Sequence, residues 1–236
     1  MQLRRTGWWI VCVLALPLAA CGGEKGVATP QGVARHTTID FGAVANYAAP
    51  ALPAYFDETV SALDNSPAAI DNRVATLGRV LFYDLQLSTN GRTSCAACHQ
   101  QALGFTDSMR FSNGISSAAT TDFHAMRLGN LRYWRPGSMF WDRRAASVEA
   151  QARHPLHSLV EMGWGGPAGG IDALIRKMEA TAYYPDLFAW AFGSRAITEP
   201  RIQQALAQFV RAMVSSSSRW DEGYARVFSP GAPNRA

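Results

Sequence analysis

The chain has 236 residues, 48% hydrophobic and 17% charged, an ordinary globular composition that excludes a disordered or collagen-like protein. Its formal charge is only +4, 20 of its 22 basic residues are arginine, and no run of like charge reaches five, which also excludes a nucleic-acid-binding tail. Four unevenly placed cysteines are too few for a disulfide scaffold.

The chain opens with the features of an export signal. Arg4 and Arg5 precede an apolar stretch, residues 10–18, that is too short to span a bilayer. Leu18-Ala19-Ala20-Cys21 closes it and resembles the lipobox of exported lipoproteins, in which the cysteine becomes the lipidated first residue. Cys12 and Cys21 therefore belong to the signal. The expectation is a signal peptide over residues 1–20 and a mature chain in the periplasm or cell envelope, held to the membrane only by an acyl anchor on Cys21. Residues 21–51 are rich in Gly, Ala and Pro and read as a tether, with the folded domain over residues 52–224.

Helical signals follow in order. Ser66-Pro67 has the chemistry of an N-cap and first turn, and Ile70, Val74, Leu77 and Leu81 then recur at spacings of four, three and four. Residues 171–178 and 187–192 read as shorter helices separated by Pro185. Thr198-Glu199-Pro200 opens another, carrying Ile202, Leu206, Phe209, Val210 and Met213 until the serine run 215–218 stops it. Residues 88–93 and 110–122 are polar loops, no stretch alternates as a strand would, and no repeat is visible. The predicted fold is all-α with long loops, and such loops are usually functional or wrapped around something.

Cys95-Ala96-Ala97-Cys98-His99 suggests what they wrap. On a helical turn, positions i, i+3 and i+4 share a face, so two thiols can form thioethers to a porphyrin while the next imidazole reaches its iron. A zinc site needs a fourth ligand and usually a second cysteine pair, and no Cys follows Cys98. A redox disulfide of this spacing expects a βαβ context, which the helical pattern lacks. The motif therefore predicts one covalently attached haem c with His99 on the iron.

Around the motif stand Leu77-Gly78-Arg79-Val80-Leu81-Phe82-Tyr83-Asp84, Leu87-Ser88, Phe105-Thr106-Asp107, Asn130 and Phe140-Trp141-Asp142-Arg143-Arg144. Glu149-Ala150-Gln151, Pro155-Leu156, Glu161-Met162-Gly163 and Ser218-Arg219-Trp220-Asp221 follow. In this order and spacing they resemble the bacterial di-haem cytochrome c peroxidases together with the MauG-type enzymes. The resemblance implies a cytochrome c-like haem domain that reduces hydrogen peroxide with electrons from a small reduced cytochrome c or cupredoxin. It implies that Glu161 is the distal acid–base group, that Gln151 hydrogen-bonds bound oxygen, that Pro155 packs over the haem, and that Trp141 passes electrons between two haems. A non-catalytic electron-transfer cytochrome and a MauG-like oxidase of a protein substrate remain alternatives. His154 and His157 flank Pro155 at the expected border of the pocket, and Met109, Met126, Met139 and Met162 are candidates for a sixth ligand.

Three residues depart from the family pattern. Ile115 stands where some members carry a histidine that ligates the iron at rest, which predicts an open iron site unless His124 serves instead. His124 occupies the place of an asparagine that helps hold an interdomain calcium, and imidazole is a poor calcium ligand, so calcium is doubtful here. Arg143 replaces the glycine of a Trp-Asp-Gly-Arg motif. The family's second haem domain, with its own Cys-x-x-Cys-His, does not follow in this sequence: the expectation is a chain truncated ahead of it, with residues 225–236 as the start of the linker, and the alternative is a single-haem form that needs a separate electron donor.

Overall fold

The structure is a computed structural model that describes residues 32–231 apart from 57, 117 and 136. The signal and lipobox expected at 1–21 lie outside the described residues. Within them no helix is long and apolar enough to cross a membrane. The helices are α1 (Glu58–Ser61), α2 (Asn72–Tyr83), α3 (Cys95–Cys98), α4 (Val148–His157), α5 (Gly170–Ala180), α6 (Tyr184–Phe192), α7 (Glu199–Arg211) and α8 (Arg219–Phe228). Isolated bridges are the only β-structure among the described residues, so the fold is all-α with long loops, as expected.

The central pair is α2 and α7. Thr198 caps α7 as predicted, Pro200 sits in its first turn, and Ile202, Ala205, Leu206, Phe209 and Val210 are buried. α2 buries Val74, Leu77, Leu81 and Phe82, and Gly78 lets the two backbones meet: a Cβ there would stand 1.9 Å from the Ala205 carbonyl oxygen and 2.8 Å from Phe209 Cβ. α2 starts at Asn72, later than Ser66-Pro67 implied. The Asp71 carboxylate is the cap, accepting the N–H groups of Arg73 (2.7 Å) and Val74 (3.1 Å), and it lies nearer the apolar run it serves.

On the other side of α7 lies α4, burying Val148, Ala152 and Leu156. Its last turn contains Pro155, which masks its helical pattern in the sequence. Arg211, 2% exposed, joins the two helices: it donates to both carboxylate oxygens of Glu149 and, at 3.0 Å, to Asn65 Oδ1. Burial alone would push the Glu149 carboxyl up, but these charged hydrogen bonds more than reverse it and hold it below the ordinary range. α6 begins at Tyr184 with Pro185 in its first turn, rather than after it. α8, also unread, is started by a capping box between Ser218 and Asp221.

Residues 32–51, part of the expected tether, lie against the domain. Val33 is buried, Phe41 meets Trp190 edge-on at 5.0 Å between ring centroids, and Tyr47 meets Phe209 at 6.1 Å. The Asn72 side chain accepts the N–H groups of Tyr47 (2.8 Å) and Ala48 (2.9 Å). These contacts need no periodicity, because each apolar side chain meets a different partner, and so the pattern leaves no helical signal.

Candidate functional site

Helices α2, α3, α4 and α7 and the loops between α3 and α4 surround a cleft of about 1280 Å³. That exceeds the roughly 300–1,000 Å³ of ordinary small-molecule pockets. Cys95, Cys98, His99, Gln151, Pro155 and Glu161 all line it, so the structure brings the predicted attachment and distal residues to one cavity. Trp141 is on the same lining.

The first wall is α3 and the loop after it. Cys95 and Cys98 are unbridged and half-buried, three residues apart on a single helical turn. Burial, with the Glu161 carboxylate and Cys98 adding to it, pushes the Cys95 thiol up to about 12. Both thiols are therefore neutral and un-ionised before any attachment. His99 closes the turn, its N–H bonded to the Cys95 carbonyl at 3.0 Å. Its Nδ1 lies 2.8 Å from the Phe105 carbonyl. A carbonyl only accepts, so Nδ1 carries the proton and Nε2 keeps the lone pair a metal would take. Burial lowers the His99 pKa, with the Phe105 and Met126 carbonyls pulling the other way, which keeps the ring neutral. The Phe105 carbonyl is aimed by a tight reversal: Gln100 and Thr106 form a bridge, Gly104 has φ +70°, and Phe105 itself has φ +61°.

The second wall is α4 and the loop leaving it. Gln151 and Pro155 are one turn apart on the cleft side of α4, and Pro155, lacking an N–H, leaves the Gln151 carbonyl without its i+4 donor. In the following loop, Ser158 Oγ accepts the N–H groups of Val160 (3.2 Å) and Glu161 (3.1 Å). The loop is also tied to its surroundings. Thr89 N–H donates to the Met162 carbonyl (3.0 Å), Ile115 N–H to that of Val160 (2.6 Å), and the Trp164 indole to that of Leu87 (2.6 Å). Glu161 thus sits on a fixed loop. Burial pushes its carboxyl up, opposed by the Ser158 hydroxyl and the Arg144 charge, and the net shift is upward. The Ser-x-x-Glu spacing of 158–161 is that of a capping box, a signal from which the role of Ser158 could have been read.

Ile115 does not line the cleft. Its Cδ1 packs on Gly163, where a Cβ would meet it at 2.7 Å, beside Thr89. His124 does line the cleft, but both of its ring nitrogens are engaged, Nε2 with Thr106 Oγ1 at 3.0 Å and Nδ1 with the Met109 carbonyl at 2.7 Å. Those contacts would have to break before the ring could ligate iron as a surrogate. Met126, Met139 and Met162 reach the lining, whereas Met109 does not. His154 and His157 border the cleft as expected, with His157 Nε2 held 2.8 Å from Glu199 Oε1.

Trp141 stands at the rim, 59% exposed, and its indole N–H donates to the His124 carbonyl at 2.9 Å. Beside it, Phe140 has φ +74° and Arg143 φ +59°, the left-handed conformation for which glycine is the natural residue. Arg144, given no role in the sequence reading, lies 3.6 Å above the Phe140 ring, and the charge on its guanidinium reaches Glu161. Among the described residues no cluster of three or more His, Cys, Asp or Glu side chains is arranged to hold a metal ion. Both nitrogens of the His124 ring are already hydrogen-bonded, and imidazole is a poor calcium ligand.

The apolar cleft, the paired neutral thiols and the oriented imidazole do fit a covalently held haem. Comparison with known proteins agrees. The sequence profile of the family described as di-haem cytochrome c peroxidase matches residues 72–226. Methylamine utilization protein MauG of Methylorubrum extorquens is 32% identical over 214 residues, 90% of this chain and 57% of that protein. Cytochrome c551 peroxidase of Nitrosomonas europaea is 30% identical over 155 residues, 63% of this chain and 42% of that protein. A crystal structure of a MauG-like protein associated with microbial copper homeostasis superposes with a TM-score of 0.60 at 32% identity, over 68% of this chain and 46% of that one. The chain spans about half the length of these relatives. With the profile covering most of the described helices and the cleft presenting the residues that c-type haem requires, the chain belongs to the di-haem cytochrome c peroxidase family.

Proposed function

We propose that this chain carries the peroxide-cleaving half of a haem peroxidase, which reduces hydrogen peroxide to water with two protons and with two electrons from a small reduced cytochrome c or cupredoxin. The observation that carries it is the presence in one cleft of His99, with its proton assigned to Nδ1, and of Glu161, a half-buried carboxyl with a raised pKa. Bound through Cys95, Cys98 and His99, a single haem c supplies the iron at which the O–O bond breaks and the electrons are exchanged. Glu161 takes a proton from the incoming peroxide and returns it to the departing oxygen, and its raised pKa suits both halves of that transfer. The Gln151 amide would hydrogen-bond the peroxide, and Pro155, on the same lining, would limit water there. Trp141, exposed at the rim, receives the electrons. The reading includes no calcium, and it places the mature protein in the periplasm, anchored by a lipid on Cys21.

Glu161→Gln keeps shape and hydrogen bonding but removes the proton acceptor. Peroxide cleavage, followed by stopped-flow absorbance, is expected to fall about 10²- to 10⁴-fold with haem loading unchanged, and an undiminished rate removes Glu161 from the mechanism. Since Ile115 packs away from the cleft, the resting ferric protein is expected to be high-spin and to bind cyanide promptly. A second reading, oxidation of a protein substrate in the manner of a MauG-like enzyme, is favoured by the exposure of Trp141 at the rim. Peroxide consumption that depends on an added protein and leaves that protein oxidised would select it. The third, a non-catalytic carrier, draws on Met126, Met139 and Met162 in the lining and requires a low-spin six-coordinate spectrum at rest.

A further inference from the structure

We infer that His124 is a positioning residue for the haem ligand, its imidazole fastening the loop that orients His99 while its backbone carbonyl fastens Trp141. This rests on the haem reading of the cleft. The ring spans the segment that follows His99. Nε2 lies 3.0 Å from Thr106 Oγ1, and Nδ1 lies 2.7 Å from the Met109 carbonyl and 3.5 Å from Asp107 Oδ1. Asp107 is buried and also accepts the Met109 N–H at 3.1 Å, so residues 106, 107 and 109 are closed around one side chain. The Thr106 hydroxyl is shared with the Ala125 carbonyl, next in sequence to His124, and the Thr106 carbonyl accepts the Gln100 N–H at 2.8 Å.

Thr106 is thereby held at both its side chain and its backbone, and the carbonyl that meets His99 Nδ1 belongs to the residue before it. The strength of that bond sets how basic the ligating nitrogen is: a firmly accepted Nδ1 proton makes the ring a better donor to the metal. The clamp therefore acts on the iron through Thr106 and Phe105 without touching it. On its other side, the His124 carbonyl takes the Trp141 indole proton at 2.9 Å, so one residue links the ligand loop to the rim. Where the family resemblance implies an asparagine that helps hold a cation, this chain carries a ring hydrogen-bonded at both nitrogens.

The test uses the full chain with haem attached, comparing wild type with His124→Ala, His124→Gln and Thr106→Val by redox titration and by resonance Raman of the ferrous haem. His124→Ala is expected to raise the midpoint potential and lower the iron–histidine stretching frequency. His124→Gln, whose amide nitrogen keeps N–H donors at similar reach, is expected to restore part of both. Chelation by EDTA is expected to leave the wild type unchanged, and added calcium to leave His124→Ala unrescued. A wild-type potential and stretch in His124→Ala overturns the inference, as does a wild type that loses them on chelation. If His124→Ala takes up no haem, Thr106→Val decides, since an unshifted potential there is equally fatal. These are ground-state readouts, so they stand or fall independently of peroxide turnover and of the Glu161→Gln result; a wild type that attaches no haem would instead refute the haem reading itself.

Discussion

The helical frame and the loop wall of the cleft are built by different physics. In the frame, α2, α4 and α7 meet through buried apolar faces and the close approach at Gly78, and Gln151 and Pro155 inherit their positions from that packing. In the wall, roughly residues 99–145, the backbone is irregular. All four non-glycine residues with positive φ among the described residues, Phe105, Asn130, Phe140 and Arg143, lie in it. Its shape depends on hydrogen bonds from side chains to distant backbone groups, such as Trp141 to His124 and Asn90 to Ile115. The contrast teaches that half of the site is pre-formed by packing, whereas the other half is tuned by a few polar contacts and by whatever fills the cleft.

The strongest way to break this comparison is to empty the cleft. Cys95→Ala with Cys98→Ala should abolish covalent haem on stained denaturing gels, and in hydrogen exchange the 99–145 wall should lose protection while α2 and α7 keep theirs. Uniform loss of protection would mean that the frame is not independent of the wall. Next in size is Gly78→Ala, which drives a methyl group into the Ala205 carbonyl. It should cost about 3 kcal/mol in denaturant unfolding, and a cost below about 1 kcal/mol would show that α2 and α7 slide apart easily.

The two half-buried glutamates sharpen the comparison through pH. Glu161 has its carboxyl raised by burial, so between its ordinary 4.5 and the raised value the folded protein binds the proton and the unfolded chain does not. Stability of the haem-free domain from this group therefore increases as pH falls through that window and declines as pH rises. Glu149 is the reverse: its contribution is present above 4.5 and is lost as pH falls through its lowered value. Relative to Glu161→Gln, the wild type should gain stability as pH drops toward 4.5, measured by urea melts across pH; a constant difference would contradict the raised pKa. The smallest effect belongs to Arg143→Gly in the wall. Relief of a left-handed arginine should stabilise by up to about 1 kcal/mol, less whatever its 2.8 Å bond to Ser138 contributes, and a lower melting temperature would mean that this bond dominates.

Local chemistry was legible from the residues alone. Cys95-x-x-Cys98-His99 announces covalent haem because its three groups must share one helical turn, and Thr198-Glu199-Pro200 announces α7 because cap and first turn are adjacent in sequence. The family resemblance named Glu161, Gln151, Pro155 and Trp141, and the structure places all four on one cleft. Only the tertiary structure decided where α2 begins, that residues 32–51 pack on the helices, that Ile115 turns to Gly163, and that the His124 ring fastens a loop. The reason is separation along the chain. Caps and attachment motifs act within four residues or so, where spacing is informative, whereas the His124 ring meets Thr106 across 18 residues, Asn72 meets Tyr47 across 25, and Arg211 meets Glu149 across 62. No periodicity records such pairs, because each is settled only when two packed segments bring a donor and an acceptor into reach.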